Sequence, residues 1–223
     1  VRLWDIDESH HAVPDNQWGR ATALFTNAIG LGVTATPLRC DRKPLDGVFD
    51  TMIVGPTMRD LIDQGHLSEY RIFCPPVSLD MSQIRTSGSS GEFVQKDVLR
   101  EAHKSRIVGD VVDHYLRIAP GKRGLTFTVD VESATATAAA YNAAGVRAEV
   151  VSAKTPDNIR SALLDRLATG DILQLVNVDL FGEGMDCPAL EVVSMARPTQ
   201  SYGLYVQQFG RVLRPFEGKT HGI

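Results

Sequence analysis

Cysteine is scarce in this sequence. Only Cys40, Cys74 and Cys187 occur, far apart and without CxxC spacing. An odd number at such distances argues against a disulfide framework, and the missing paired spacing argues against zinc. This usage fits a reducing compartment, so a cytoplasmic, intracellular protein is expected. Long apolar runs are missing as well. No stretch reaches the roughly 18 consecutive apolar residues that suggest a membrane-crossing helix, and no membrane partner is expected. The opening residues Val1-Arg2-Leu3-Trp4-Asp5-Ile6 run straight into acidic residues. They are no signal peptide and read as a strand already under way, which implies a natural chain that begins upstream. Excess positive charge is also lacking: 23 Lys and Arg stand against 27 Asp and Glu, a net charge of -4. A broad basic face that grips duplex DNA is therefore not expected. Any nucleic-acid contact must be a local groove or depend on other parts.

What is present suits a globular protein. The 223 residues, 43% of them hydrophobic, are enough for one large or two small domains with a core. Short strands are expected at 2–6 and 31–35, with a third apolar run at 50–54. Helices are expected at 17–28 and 57–65, the second with Met58, Leu61 and Ile62 on one face and Gly65 as its stop. Residues 71–74 read as extended and end at Pro75-Pro76, and a domain boundary is placed near 70. Residues 86–91 have the composition of a loop. A long helix or helix pair follows over 92–118. Beyond it the pattern predicts a strand at 124–129, a helix at 133–144 capped by Ser133 and stopped by Gly145, and a strand at 147–151. A helix opened by Thr155-Pro156 runs to Gly170, with Pro156 at its first position. Strands at 172–176 and 191–195 and a helix at 203–213 complete the chain. This alternation argues for an α/β fold with a mostly parallel sheet.

Four constellations carry candidate chemistry. The first is Asp7-Glu8-Ser9-His10-His11 at a strand end, where carboxylates point into the crevice that binds ligands. Asp7 can hold Mg²⁺ through water, Glu8 can orient or deprotonate an attacking water, and His10 can sense a γ-phosphate. A solvated acidic turn is the alternative. The second is Gly32-Val33-Thr34-Ala35-Thr36-Pro37, whose hydroxyls can bridge two moving parts or simply cap a strand. The third is Phe181-Gly182-Glu183-Gly184-Met185-Asp186-Cys187-Pro188. Its glycines admit close backbone approach to a ligand, and Asp186 can accept from a ribose hydroxyl. A Gly-rich turn between strands is the alternative. The fourth is Gln207-Gln208-Phe209-Gly210-Arg211-Val212-Leu213-Arg214. On a helix, Arg211 and Arg214 face the same way, and two guanidiniums suit a phosphate chain. Two solvated arginines are the alternative.

Taken together and in this order, the four segments resemble motifs II, III, V and VI of the superfamily-2 helicases. Phe127-Thr128-Val129-Asp130-Val131-Glu132-Ser133-Ala134 also looks like the region around motif IV. The resemblance covers nearly the whole chain, from Asp5 to Pro215. Its wording is closest to the DExH branch, which includes excision-repair-type helicases and the motor subunits of restriction enzymes. It differs from the DEAD-box proteins, which carry Asp where His10 stands and Ser-Ala-Thr where Thr34-Ala35-Thr36 stands.

The resemblance implies RecA-like lobes of the P-loop NTPase class: a partial first lobe over residues 1–70 and a largely complete second lobe over 71–223. It implies ATP and Mg²⁺ as cofactors and nucleic acid as partner, DNA in preference to RNA. Asp7 looks like the Mg²⁺-associated aspartate and Glu8 like the catalytic base. Arg211 and Arg214 look like the arginine fingers. Gly184, Asp186 and Gln207 look like nucleotide contacts, and His10, Thr34 and Thr36 like coupling residues. A non-catalytic module that kept the fold, or a restriction-enzyme motor, stays open as a reading.

One signature is missing. A G-x-x-x-x-G-K-[ST] loop, whose backbone N–H groups cradle phosphates, does not occur. Gly218-Lys219-Thr220 comes nearest, but position 213 is leucine where the first glycine belongs. Gly121-Lys122-Arg123 fails too, and both are read as loops. The phosphate loop is expected upstream of Val1, in the part of the protein needed for ATP binding. The first lobe is then expected to be incomplete, with an open sheet edge.

Overall fold

A computed structural model of the chain describes residues 2–37, 45–76, 79–88, 91–178, 180–181 and 185–223. The chain divides into two compact units. The first comprises Val1–Pro56, Ser87–Glu92 and Thr199–Gln207; the second comprises Thr57–Thr86, Phe93–Pro198 and Gln208–Ile223.

The second unit is built on a four-stranded parallel sheet. Its strands are β4 (Gly124–Thr128), β5 (Ala148–Val151), β6 (Gln174–Val178) and β7 (Val192–Met195), in the order β5-β6-β4-β7. The expected α/β class and parallel sheet are therefore what the chain adopts. Alternation along the strands sends neighbouring side chains to opposite faces. Leu125, Phe127 and Leu175 join Leu163 and Leu167 of α6 (Asp157–Thr169) in one core. Val176 and Val192 join Tyr115 of α4 (Ile107–Ile118) and Ala134, Ala138 and Tyr141 of α5 (Val131–Ala143) in another. With both faces covered, strand β4 is buried along its whole length, as parallel strands require. Each leucine fully buried here contributes about 1.5–3 kcal/mol relative to exposure.

Polar side chains also enter this interior. Asn177 donates to the Thr126 carbonyl at 3.0 Å, and the Thr126 hydroxyl donates to Gln174 Oε1 at 3.3 Å. Gly124 makes room for this: a Cβ there would stand 2.3 Å from Gln174 Nε2.

The helix boundaries differ from the sequence pattern for local reasons. The cap of α5 is Asp130, which accepts the Ser133 N–H at 2.7 Å, so the helix opens at Val131 before the expected cap Ser133. Pro156 is the cap residue of α6, and the helix begins at Asp157. The helical stretch over 92–118 is a pair, α3 (Gln95–Lys104) and α4, broken at Ser105. On α3, Asp97 and Glu101 are buried and ringed by Arg85, Arg100 and Lys104. The hydrogen bond from Arg85 holds the Asp97 carboxyl down at about 2.

Residues 57–70 pack with this second unit. Helix α2 (Met58–Asp63) opens on a reciprocal cap between Thr57 and Asp60. Strand β3 (Glu69–Tyr70) pairs in parallel with β8 (His221–Gly222), and Tyr70 meets the Phe209 ring edge-on at 4.9 Å. The boundary expected near residue 70 falls inside this unit.

In the first unit, β1 (Leu3–Ile6) and β2 (Ile29–Gly32) form a two-stranded parallel sheet, register Leu3 to Ile29 and Ile6 to Gly32. Leu3, Ile29 and Leu31 are exposed. Helix α1 (Gln17–Ala23) is shorter than expected; Asn16 caps it, and Gly19 fits closely under the Val13 carbonyl. The apolar run at 50–54 forms no strand, and Met52, Ile53 and Val54 are exposed. Helix α7 (Tyr202–Gly210) begins in this unit and ends in the second.

Candidate functional site

Strand β1 ends at Ile6 and delivers Asp7 and Glu8 to the carboxyl end of a parallel pair. Asp7 is exposed, and its Oδ1 accepts the Glu8 N–H at 2.8 Å. Glu8 itself sits in the left-handed region, φ 51° and ψ 45°. Among the described residues only Glu8 and Phe181 have positive φ without being glycine. Such a conformation costs of order 1–3 kcal/mol, persists where surroundings impose it, and clusters at functional sites.

A tight 3₁₀ turn over Ser9–His11 follows. It places His10 Nδ1 2.9 Å from the Thr34 hydroxyl and 3.4 Å from Glu8 Oε2. Thr34 Oγ1 also accepts the Thr36 N–H at 3.1 Å. The side chain of Gln207, far along the chain, donates to Thr36 Oγ1 at 3.4 Å. Glu8, His10, Thr34, Thr36 and Gln207 therefore form one connected polar chain within the first unit. Gly32 permits it, because a Cβ there would stand 2.4 Å from the Phe49 ring and 2.7 Å from Ser9 Cβ. The end of β2 can then close on the Ser9 turn, where the Ser9 N–H donates to the Val33 carbonyl at 2.9 Å.

The second unit gathers the other candidates. Helix α7 stops at Gly210, short of the expected residue 213, so Arg211 and Arg214 do not share an α-helical face. The N–H groups of Arg211, Val212 and Leu213 instead bond the carbonyls three residues back, a tightened final turn. Buried Val212 and Leu213 anchor this turn in the core. Both arginines still converge on one segment: Arg211 donates to the Met185 carbonyl at 2.7 Å, and Arg214 bonds the Asp186 carboxylate. Gly184 lies outside the described residues.

Two further residues hold this corner. Lys219, read from sequence as part of an ordinary loop, donates to the Arg214 carbonyl at 2.8 Å and the Pro188 carbonyl at 3.3 Å. Burial pushes its ammonium down to about 8, against the opposing pull of Glu191. Ser68 donates its N–H to the Leu213 carbonyl at 2.6 Å and its hydroxyl to the Arg214 carbonyl at 3.3 Å. No local pattern marks either residue, because each acts on a backbone carbonyl of a segment distant in sequence or beyond a turn.

At the opening of α5, His103 Nε2 lies 2.8 Å from Asp130 Oδ2, with Glu132 nearby. The hydrogen bond His103 donates to Asp130 raises the His103 pKa. Partial burial pulls the Asp130 carboxyl up, but the bonds from Ser133 and His103 outweigh it and its pKa is lowered.

Residues 106–215 match the family described as the helicase conserved C-terminal domain. The chain is 34% identical over 214 residues to a 51.5 kDa protein of a Lactococcus phage, covering 96% of this chain and 46% of that protein. It is 24% identical to a Saccharomyces cerevisiae protein that carries the name ATP-dependent helicase, covering 99% of this chain and 33% of that one. The chain thus spans less than half the length of these curated relatives. Its fold resembles a fragment described as an HsdR subunit of a type I restriction enzyme from Vibrio vulnificus YJ016. There the TM-score is 0.71 at 19% identity, over 99% of this chain and 52% of the other.

Proposed function

We propose, from the premise that this chain belongs to the superfamily-2 helicases through its conserved C-terminal domain, that it is the hydrolysis and coupling portion of an ATP-driven motor on nucleic acid. The end of a first RecA-like lobe is read in the N-terminal part of the chain, up to Pro56, and the second lobe in the part that carries the four-stranded sheet, with which residues 57–70 pack. DNA is the preferred track, on the DExH-type wording of the Asp7–His11 and Thr34–Pro37 segments.

The polar chain from Glu8 through His10, Thr34 and Thr36 to Gln207 carries the reading. A carboxylate positioned to take a proton from water lies 3.4 Å from His10, which hydrogen-bonds to hydroxyls that respond when its charge or contacts change. An acidic turn with no task needs no such continuity. Asp7 fits Mg²⁺ held through water, since it is an exposed hard oxygen donor at the carboxyl end of a parallel strand. Bound there, the ion would offset phosphate charge. Glu8 orients and deprotonates the attacking water. His10, Thr34 and Thr36 pass the state of the site to Gln207, which contacts the nucleotide with Gly184 and Asp186. Arg211 and Arg214 present planar donor forks that stabilise charge on a transferring phosphate.

The residues present fit the reacting end of ATP and not its phosphate cradle. We therefore expect the 223-residue chain alone neither to bind ATP tightly nor to hydrolyse it; steady hydrolysis by the purified chain at helicase rates would overturn this. The test of the function is nucleic-acid-stimulated ATP hydrolysis, wild type against Glu8→Gln, in the protein that joins this chain to a phosphate-binding loop. Lost turnover with retained ATP binding is expected. Unchanged turnover removes Glu8 from the mechanism. Strand displacement measured alongside separates unwinding from translocation alone.

A further inference from the structure

Glu92 has no role in the sequence motifs, yet its carboxylate gathers three donors at the start of α7. The Thr199 hydroxyl donates to Oε2 at 2.5 Å, the Gln200 N–H to Oε1 at 2.8 Å and the Ser201 N–H to Oε2 at 3.1 Å. Ser201 in turn caps the helix, accepting the Leu204 N–H at 3.2 Å. Glu92 stands more than a hundred residues earlier, and its own carbonyl accepts the Ser87 N–H at 2.7 Å. All these residues lie within the first unit.

The placement has a direct physical meaning. The first backbone N–H groups of a helix have no partner inside it, and the helix dipole favours negative charge there. Most helices meet this need with a neighbouring residue. Here Ser201 meets it for the Leu204 N–H, and Glu92 adds a carboxylate acceptor for the N–H groups of Ser201 and of Gln200 just before the helix, so the start of α7 is tied to Glu92. Gln207, whose amide reaches Thr36, lies on the same helix. A helix fixed at its N-terminus presents residues one and two turns along at a set angle, and a hydrogen bond of 3.4 Å tolerates little displacement.

We propose that Glu92 is a positioning residue that sets α7 so that Gln207 meets Thr36. Its role is to hold the helix carrying the coupling contact, and it touches no reacting atom. This rests on the function proposed above only in its effect on turnover; the anchoring itself is tested separately.

The experiment has two readouts. Amide hydrogen exchange on the 223-residue chain, without nucleotide, compares wild type, Glu92→Gln, Glu92→Ala and Thr199→Val. Glu92→Ala is expected to speed exchange at Gln200 about tenfold or more, because its charge-assisted bond is lost, and at Ser201 less, because that N–H keeps the Thr199 hydroxyl as an acceptor at 3.0 Å. Glu92→Gln, which keeps a carbonyl acceptor in the same shape, is expected to lie between; Thr199→Val is expected to stay near wild type at Gln200 and to exchange faster at Ser201, whose N–H loses the Thr199 hydroxyl. The second readout is stimulated ATP hydrolysis in the protein with its phosphate-binding loop. Glu92→Ala is expected to lower kcat about tenfold with KM for ATP within about twofold, and Glu92→Gln to restore part of it. Unchanged exchange in Glu92→Ala overturns the anchoring. Full turnover by Glu92→Ala where Glu8→Gln has none overturns the positioning role and leaves the function standing. If Glu8→Gln also turns over normally, the functional reading has failed, and the exchange data alone decide whether Glu92 anchors α7.

Discussion

The interior of the four-stranded sheet offers a sharp test at Gly124. Two effects of Gly124→Ala oppose each other. Glycine in a strand loses more chain entropy than alanine, so the substitution gains about 0.5–1 kcal/mol from this source. The backbone does not oppose it, since Gly124 is not among the residues with positive φ. The new Cβ, however, would meet Gln174 Nε2 at 2.3 Å, Oε1 at 2.6 Å and Cδ at 2.8 Å. Gln174 is fully buried, and its Oε1 accepts from Thr126. Its amide cannot swing into solvent to clear the way. Overpacking of this kind costs about 1–3 kcal/mol. Displacing the amide from Thr126 adds about 1–3 kcal/mol for a buried polar group that loses its partner. The steric and polar terms exceed the entropy gain, and a net loss of about 2–4 kcal/mol is expected.

Urea unfolding followed by far-UV circular dichroism measures this. The midpoint of Gly124→Ala should fall with little change in slope. Gln174→Ala should also destabilise alone, but combining the two should cost less than their sum by about 1–2 kcal/mol, because the clash is gone. A rise in midpoint for Gly124→Ala would mean that chain entropy wins. Additivity within about 0.5 kcal/mol would mean that Gln174 is not the obstacle, and either result refutes the reasoning.

Further outcomes follow from the site. Arg211→Ala should reduce stimulated ATP hydrolysis at least tenfold while nucleic-acid affinity changes little, since its side chain is directed to the Met185 segment. A large loss of affinity in a salt-dependent binding titration would recast it as a phosphate contact. The His103–Asp130 pair contributes stability that is fully present below the ordinary histidine range near 6.5 and is lost as pH rises through the raised value of His103. Both partners are partly exposed, so the effect is under about 1 kcal/mol. His103→Gln should therefore remove a small fall in Tm above about pH 6.5, and an unchanged Tm profile would show the pair to be inert.

How far the sequence spoke for itself differs between elements. The strands of the four-stranded sheet were legible because each is a short apolar run bounded by turn residues. Alternation with helical patterns then leaves a parallel sheet as the economical arrangement. The ends of the helices were less legible. Asp130 and Ser133 are both good caps, and only the backbone path after β4 selects Asp130. The helix that carries Gln207 stops at Gly210 because its last turn tightens into the core through Val212 and Leu213, a packing effect no periodicity records. The apolar run at 50–54 has the composition of a strand but pairs with none.

By itself, the sequence determined the chemistry available: which carboxylates, hydroxyls and arginines exist, in what order, and the missing phosphate loop. Residue identity and spacing carry that information directly, and so the scarcity of cysteine and the lack of a broad basic excess could be read at once. Tertiary structure decided which groups meet. The link from Glu8 to Gln207, the hold of Lys219 and Ser68 on the Arg214 carbonyl, and the bond of Glu92 to the start of α7 all join residues distant in sequence or separated by turns. Hydrogen bonds act over about 3 Å, and only the folded backbone brings such groups that close.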